Sequence, residues 1–147
     1  MSETISQLET LARRRLETDE PGVEQALRAA LAQVRDAEQL RALAERFYAE
    51  PEVSVPTFER LLAVCPEDVV ARVQFGFVYF LMGDDEVAAR QLEAARAIEP
   101  EHLQVLTLEA ALSADPADKV RIYRRILEKD PRNELAREKL RELGVLK

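Results

Sequence analysis

The stretch that decides the fold is the apolar run VVARVQFGFVYFLM, which extends from Val69 to Met82. Only Arg72 and Gln74 interrupt it with clearly polar side chains. A helix at a protein surface is apolar along one stripe, whereas this run is apolar almost all round. Its fourteen residues are too few to cross a membrane as a helix, which takes about 20 residues. The run therefore predicts a helix that is buried on more than one side.

The composition of this run also suits a strand, because Val, Phe and Tyr favour strands. Its length decides against that interpretation, since strands usually have about four to eight residues. Asp68 is suited to cap the start of a helix, and Gly83 is suited to end it. A second stretch rich in strong helix formers follows from Asp84 to Ile98. The two stretches together predict a helical hairpin.

The hairpin carries a recognisable spacing. Pro66 and Pro100 lie 34 residues apart, which is the period of the tetratricopeptide repeat. The stretch between them resembles that family's pattern through Phe75, Gly76, Tyr79, Gly83, Ala88, Ala95 and Pro100. Arg72 and Leu92 depart from it, because the family often has Trp and Phe at these places. Gly76 and Ala88 are small enough to let the two helices approach closely.

Two neighbouring segments resemble further repeats. Residues 36–66 contain a third helix that begins after Asp36 and a fourth that is expected to begin near Val55-Pro56, with a short connection around Glu50 to Ser54. Residues 101–131 read as helices over Leu103–Ser113 and Val120–Lys129. This repeat is three residues short of the family period, and we place the loss in its first helix.

The two ends complete the array. Residues 5–34 read as a degenerate leading helix pair, with Thr18 or Asp19 as the cap of its second helix. Residues 132–144 read as an amphipathic capping helix that stops at Gly144, as repeat arrays require at their ends. The prediction is a single all-α domain over residues 1–147, with about nine helices. By resemblance to the family, they form a right-handed α-solenoid whose first helices line the concave side.

The net charge of −7 and the pI of about 4.9 argue against a nucleic-acid partner, which a basic face would indicate. The basic clusters Arg13–Arg15 and Arg121–Arg125 are interspersed with acids and are read as solvated helix faces. The chain contains one cysteine, Cys65, which fits a reducing compartment. No signal peptide or membrane-spanning run is visible. We expect a cytoplasmic protein with no membrane insertion.

The sequence offers no set of residues for catalysis, so no enzyme activity and no cofactor are predicted. His102 is the only histidine and precedes a helix, where a surface position is favoured over a catalytic role. Zinc sites need several Cys or His ligands, and His102 and Cys65 are far apart in sequence, so no metal site is predicted. The acids Asp84, Asp85 and Glu86 are explained by capping and by the helix dipole.

The resemblance implies that the first helices present a groove to a partner protein, either a peptide or a helix. The implied partner-binding residues are Arg41, Glu45, Tyr48, Val70, Val73, Phe77, Phe80, Leu81, Gln104, Leu108, Ala111 and Leu112. Some family members clamp a terminal carboxylate with Lys and Asn. Val73 and Phe77 stand at these places here, so no clamp is expected and the groove centre is apolar.

Three occupants fit an apolar groove: an apolar peptide or amphipathic helix of a partner, a second copy of the chain, or the chain's own terminal helix. The first makes the protein a non-enzymatic adaptor or scaffold. A related alternative is a chaperone for an apolar client, such as the small tetratricopeptide chaperones of secretion systems. A second copy of the chain in the groove makes it a self-assembling structural protein, a homodimer through the groove. The sequence leaves these open.

Overall fold

Nine α-helices and no strand make up the part of the chain that the computed structural model describes, residues 3–146 with side chains from residue 5. The prediction of an all-α fold is therefore confirmed over these residues. The helices, in chain order, are α1 (Glu3–Glu17), α2 (Pro21–Ala32), α3 (Ala37–Arg46), α4 (Pro51–Val64), α5 (Val69–Leu81), α6 (Asp85–Ile98), α7 (Leu103–Leu112), α8 (Pro116–Lys129) and α9 (Glu134–Glu142).

The helix ends follow from local side-chain chemistry. Asp36, Asp84 and Asp115 each precede a helix, and each side chain accepts a hydrogen bond from a backbone N–H of the first turn. These N–H groups have no acceptor within the helix, so the aspartates supply one. Gly83 ends the α5 region and Gly144 follows α9, both with positive φ (84° and 79°). Glycine adopts this left-handed conformation without steric cost, so the predicted stops are confirmed.

The predicted starts of two helices were wrong, and proline is the reason in both. α4 begins at Pro51, not near Val55-Pro56, and Pro56 lies inside the helix. The connection to α3 is therefore 47–50 instead of Glu50 to Ser54. α8 begins at Pro116, four residues before Val120. In both cases the first helical residue is a proline, where its missing N–H costs nothing.

Two smaller expectations concern α2 and α7. The N-cap of α2 is Glu20, neither Thr18 nor Asp19, because Pro21 occupies the first helical position. α7 has 10 residues where α5 has 13. The connections that follow these two helices, 82–84 and 113–115, have equal lengths. The shortening of the repeat therefore lies in its first helix, as expected.

The chain divides within α5 into two compact units, residues 1–71 (unit 1) and 72–147 (unit 2). In unit 1, α4 lies against α1, α2 and α3, and α1 also packs on α2. The Arg28 guanidinium reaches the Glu59 carboxylate at 2.9 Å, which joins α2 to α4. Arg41 donates to the Asp68 carboxylate, and its Nε lies 3.0 Å from Oδ2. Phe58 and Leu61 of α4 are fully buried in the core.

In unit 2, consecutive helices pack on one another: α6 on α7, α7 on α8, and α8 on α9. The core of the last three helices consists of Leu106, Ala110, Ile122, Tyr123, Ile126, Ala136 and Leu140. Arg125 holds the connection before α7 through the Glu101 carboxylate, with Nε and Oε2 at 2.7 Å. Across the described residues, no helix combines the length and apolarity needed to cross a bilayer.

Candidate binding pocket

An apolar pocket of about 440 Å³ lies in unit 2, bordered by α5, α7, α8 and α9. Cavities of this size that are mainly apolar and carry a few polar groups are typical of binding sites. The lining side chains are Phe77, Phe80, Leu81, Thr107, Ala111, Lys119, Tyr123, Leu135, Lys139, Glu142 and Leu143. Each wall of the pocket is therefore a helix, which positions its side chains more rigidly than a loop would.

The α5 wall is the aromatic one. Phe77, Phe80 and Leu81 fall on one face of the helix because they are spaced three and four residues apart. The rings of Phe77 and Phe80 meet edge to face, with centroids 6.3 Å apart. Leu81 is 72% exposed, which is unusual for a large aliphatic side chain. This face leaves apolar surface accessible to solvent, whereas Phe75 and Val78 of the same helix are buried.

Gly76 sets how closely α5 approaches its neighbours. A Cβ atom at this position would lie 2.6 Å from Cδ2 of Leu108 in α7 and 3.5 Å from the Ala88 carbonyl oxygen in α6. Side-chain atoms do not approach this closely, so only glycine fits here without movement of Leu108. The expectation that Gly76 and Ala88 allow a close helix contact is confirmed. The consequence for the pocket is that α5 lies directly against α7.

The terminal helix α9 forms a wall of the pocket and does not fill it. Leu135 of α9 and Leu143, the residue that caps its C-terminal end, line the pocket, and Leu135 is 43% exposed. The last described residues turn elsewhere: Val145 borders a surface hollow beside α8, and Leu146 borders another near Leu127. Residues 145 and 146 therefore do not enter the pocket.

Polar side chains of α8 and α9 edge the pocket. Lys119 Nζ donates to the carbonyl oxygens of Ala110 (2.7 Å) and Ala111 (3.3 Å), which satisfies acceptors at the end of α7. The Lys139 ammonium lies 3.4 Å from the Glu142 carboxylate. Burial raises the pKa of the Tyr123 phenol, while Lys139 lowers it and Glu142 raises it. The phenol therefore stays protonated at neutral pH and remains a hydrogen-bond donor.

The implied partner-binding residues are distributed over several places. Those that line the pocket are Phe77, Phe80, Leu81 and Ala111. Val73 and Leu108 are buried, with 1% and 0% exposure, so both belong to the packing of the helices and are left out of the binding surface. Val70 and Gln104 are exposed, and Leu112 is half-buried, but none of these three lines this pocket.

The three implied residues of α3 and its end lie in unit 1. Arg41 is engaged by Asp68 and also by Glu38, whose Oε1 lies 2.5 Å from Nη1. The Tyr48 ring meets Phe58 edge to face at 6.3 Å, and burial raises the pKa of the Tyr48 phenol. Glu45 is exposed. These residues contribute to the architecture of unit 1, and none lines the pocket.

The pocket residues of α8 and α9 were missed by the sequence analysis. They comprise Lys119, Tyr123, Leu135, Lys139, Glu142 and Leu143. The resemblance assigns binding to the first helices of repeats and treats the last helix as a cap, so these positions were not considered. The spacing of Leu135, Lys139 and Leu143 by four residues was the available signal, since it places them on one face of α9.

His102 and the acids before α6 have structural roles. The backbone N–H of Gln104 donates to Nδ1 of His102 at 3.1 Å, so His102 caps α7. Asp84 Oδ1 accepts the backbone N–H of Val87, as expected of a cap. Over the residues the structure describes, no three His, Cys, Asp or Glu side chains are grouped so as to hold a metal ion.

The chain was compared with known proteins to find its family. No protein-family model matches it, and no curated protein is significantly similar to it in sequence.

Proposed function

We propose that this protein is a non-enzymatic interaction module of tetratricopeptide type, which binds an apolar segment of another protein in the unit 2 pocket. The observation that carries this proposal is the pocket itself: four helices contribute apolar side chains to one cavity, and the terminal helix stands beside it as a wall. A solenoid arrangement of the helix pairs, an adaptor role and a cytoplasmic location are parts of the same proposal.

A peptide or helix explains the exposed side chains better than a compact small ligand does. Leu81 and Leu135 are 72% and 43% exposed at the pocket, and Met82, the residue after Leu81, is 51% exposed. A ligand confined to the cavity would leave much of this surface in water. An amphipathic helix with apolar residues at i, i+3, i+4 and i+7 would insert its anchors and cover the surrounding residues.

The test uses a short, fluorescently labelled amphipathic helix with Leu and Phe along one face and Gln at the flanking positions. Binding is measured by fluorescence anisotropy with the wild-type chain and with Phe77→Asp. Phe77 is only half-buried, so we expect the variant to keep its helical circular dichroism. Loss of an aromatic anchor should weaken binding by about 2 kcal/mol or more, roughly 30-fold.

Val70→Asp is the matched control. It places the same side chain on α5 at an exposed position that does not line the pocket. We expect its affinity for the helix to equal that of the wild type. The proposal fails if the wild type does not bind the helix, or if both variants bind as the wild type does. Light scattering on the free proteins adds a further check: a wild-type dimer that Phe77→Asp converts to a monomer would favour the self-assembling alternative.

A further inference from the structure

Charge is distributed unevenly along the chain, and the pocket lies in its less acidic part. Unit 2 contains 13 Lys and Arg against 14 Asp and Glu, a net charge of −1. Unit 1 therefore carries −6 of the total net charge of −7. A negatively charged partner that would be repelled by unit 1 meets almost no net repulsion from unit 2.

Within unit 2, the most basic stretch borders the pocket. Residues 116–142, which form α8 and α9, contain nine Lys and Arg against six Asp and Glu, a net charge of +3. Two of these cations, Lys119 and Lys139, line the pocket, together with a single anion, Glu142. An apolar cavity with ammonium groups at its edge complements a ligand that carries apolar anchors and carboxylates beside them.

The two ammonium groups differ in how they are engaged. Lys119 is held by two carbonyl oxygens at the end of α7, so its charge is fixed in place. Lys139 lies 3.4 Å from Glu142 in an exposed i, i+3 pair, with about 41% of its side chain accessible. Exposed pairs of this kind are weak, so Lys139 can exchange Glu142 for a carboxylate of a ligand at little cost.

We propose that the segment bound in the unit 2 pocket is an amphipathic helix with acidic residues next to its apolar face. This inference rests on the proposed function and adds the chemical class of the partner. The apolar anchors enter the cavity between α5 and α9, and a carboxylate beside them pairs with Lys139. Because salt screens the interaction between exposed charges beyond about 8–10 Å at physiological ionic strength, the charged groups at the pocket itself determine the preference.

The experiment compares three helices with the same Leu and Phe face and with Glu, Gln or Lys at the flanking positions. We expect the Glu-flanked helix to bind the wild-type chain roughly two- to fivefold more tightly than the Gln-flanked one, as an exposed ion pair allows. The Lys-flanked helix should bind most weakly. High salt should bring the three affinities together, since it screens exposed pairs.

Variants at Lys139 test whether this residue causes the preference for the Glu-flanked helix. Lys139→Gln should make the Glu- and Gln-flanked helices bind equally, and Lys139→Glu should favour the Lys-flanked helix. Arg132→Glu is the control, because it changes the net charge by the same amount at an exposed position that does not line the pocket. Arg132→Glu should bind the three helices in the same order of affinity as the wild type does. Circular dichroism and the affinity of the Gln-flanked helix show whether each variant remains folded.

The outcomes separate this inference from the proposed function. If all three helices bind the wild type with equal affinity, the pocket binds apolar helices but the acidic preference is wrong. If the Lys-flanked helix binds most tightly, or if Arg132→Glu alters the order as much as Lys139→Glu does, the inference is also overturned. If no helix binds, the proposed function and the inference fail together.

Discussion

In unit 1, one helix lies against three others, whereas in unit 2 the helices α6 to α9 pack in series, each on the next one along the chain. α4 is the central element of unit 1, and its apolar side chains are enclosed by α1, α2 and α3. The packing of α7, α8 and α9 in unit 2 leaves space between them and the end of α5. The side chains that α4 directs toward these three helices form core, whereas the series of α7, α8 and α9 has core on one side and the pocket on the other.

The two units also differ in what their aromatic residues contact. Phe58 of unit 1 has no accessible surface and packs edge to face with the Tyr48 ring. Phe77 of unit 2 meets Phe80 with similar geometry but is only half-buried, because it faces the pocket. The same residue type is therefore part of the core in one unit and remains partly accessible in the other.

The largest predicted effect compares these two phenylalanines. Phe58→Ala removes a fully buried ring and should lower the free energy of unfolding by about 3–5 kcal/mol. Phe77→Ala should lower it by about 1 kcal/mol, comparable to the loss of one aromatic pair. Urea unfolding followed by circular dichroism measures both. Equal losses would mean that the pocket is closed in solution and that the contrast between the units is wrong.

The second prediction concerns close packing in unit 2. Gly76→Leu should lower the free energy of unfolding by about 1–3 kcal/mol, because the new side chain meets Leu108 and the α6 backbone. Gly22→Leu in α2 is the control, since nothing lies within 4 Å of a Cβ there. A better helix former should stabilise that position by up to about 1 kcal/mol. Thermal melts of both variants test the prediction, and a higher melting temperature for Gly76→Leu would show that α5 does not approach α7 this closely.

The third prediction concerns polar groups buried in α4 of unit 1. Ser54 Oγ is buried without a hydrogen-bond partner among the described residues, whereas Thr57 Oγ1 donates to the Val53 carbonyl at 2.7 Å. Ser54→Ala should raise the free energy of unfolding by about 1 kcal/mol, because it removes an unsatisfied polar atom. Thr57→Val should lower it by a similar amount. Chemical denaturation of the two variants measures the sign of each change in the free energy of unfolding. Destabilisation by Ser54→Ala would reveal a hydrogen-bond partner for the Ser54 hydroxyl.

The smallest predicted effect is a pH dependence in unit 2. The hydrogen bond from Arg125 lowers the pKa of the Glu101 carboxyl, and the charges of Arg125 and Lys129 lower it further. A lowered folded-state pKa stabilises the fold above the unfolded-state value of about 4.5, and this contribution is lost as the pH falls through the folded-state value. Melting temperatures of the wild type and Arg125→Gln should therefore differ at neutral pH and converge at acidic pH. Arg124→Gln, at the neighbouring exposed arginine, should show no such convergence.

The sequence predicted α5 and its neighbours well because their signals are local. The capping aspartates, the glycine stops and the apolar run each act within a few residues, so the helix ends at Gly83 and Gly144 were found correctly. The starts of α4 and α8 were missed because the local signal there, a proline, is ambiguous. A proline is compatible with a turn and with a first helical residue, and only the packing of the following residues distinguishes the two.

The candidate site was predicted only in part. Phe77, Phe80, Leu81 and Ala111, to which the apolar run of α5 and the repeat spacing point, line the pocket, and their contact with a partner stays a prediction. Val73 was expected in the groove, yet it is buried. On a helix that is apolar almost all round, the sequence cannot distinguish the side covered by neighbouring helices from the side that remains open.

The sequence by itself determined the helical content, the helix pairs and the tight position at Gly76, because spacing, caps and residue size act over short distances. Only the tertiary structure decided that α9 forms a wall of the pocket instead of filling it, and that Lys139 and Tyr123 belong to the same pocket as Phe77. Those relations depend on where helices distant in sequence pack, which is a property of the assembled unit and not of any single segment.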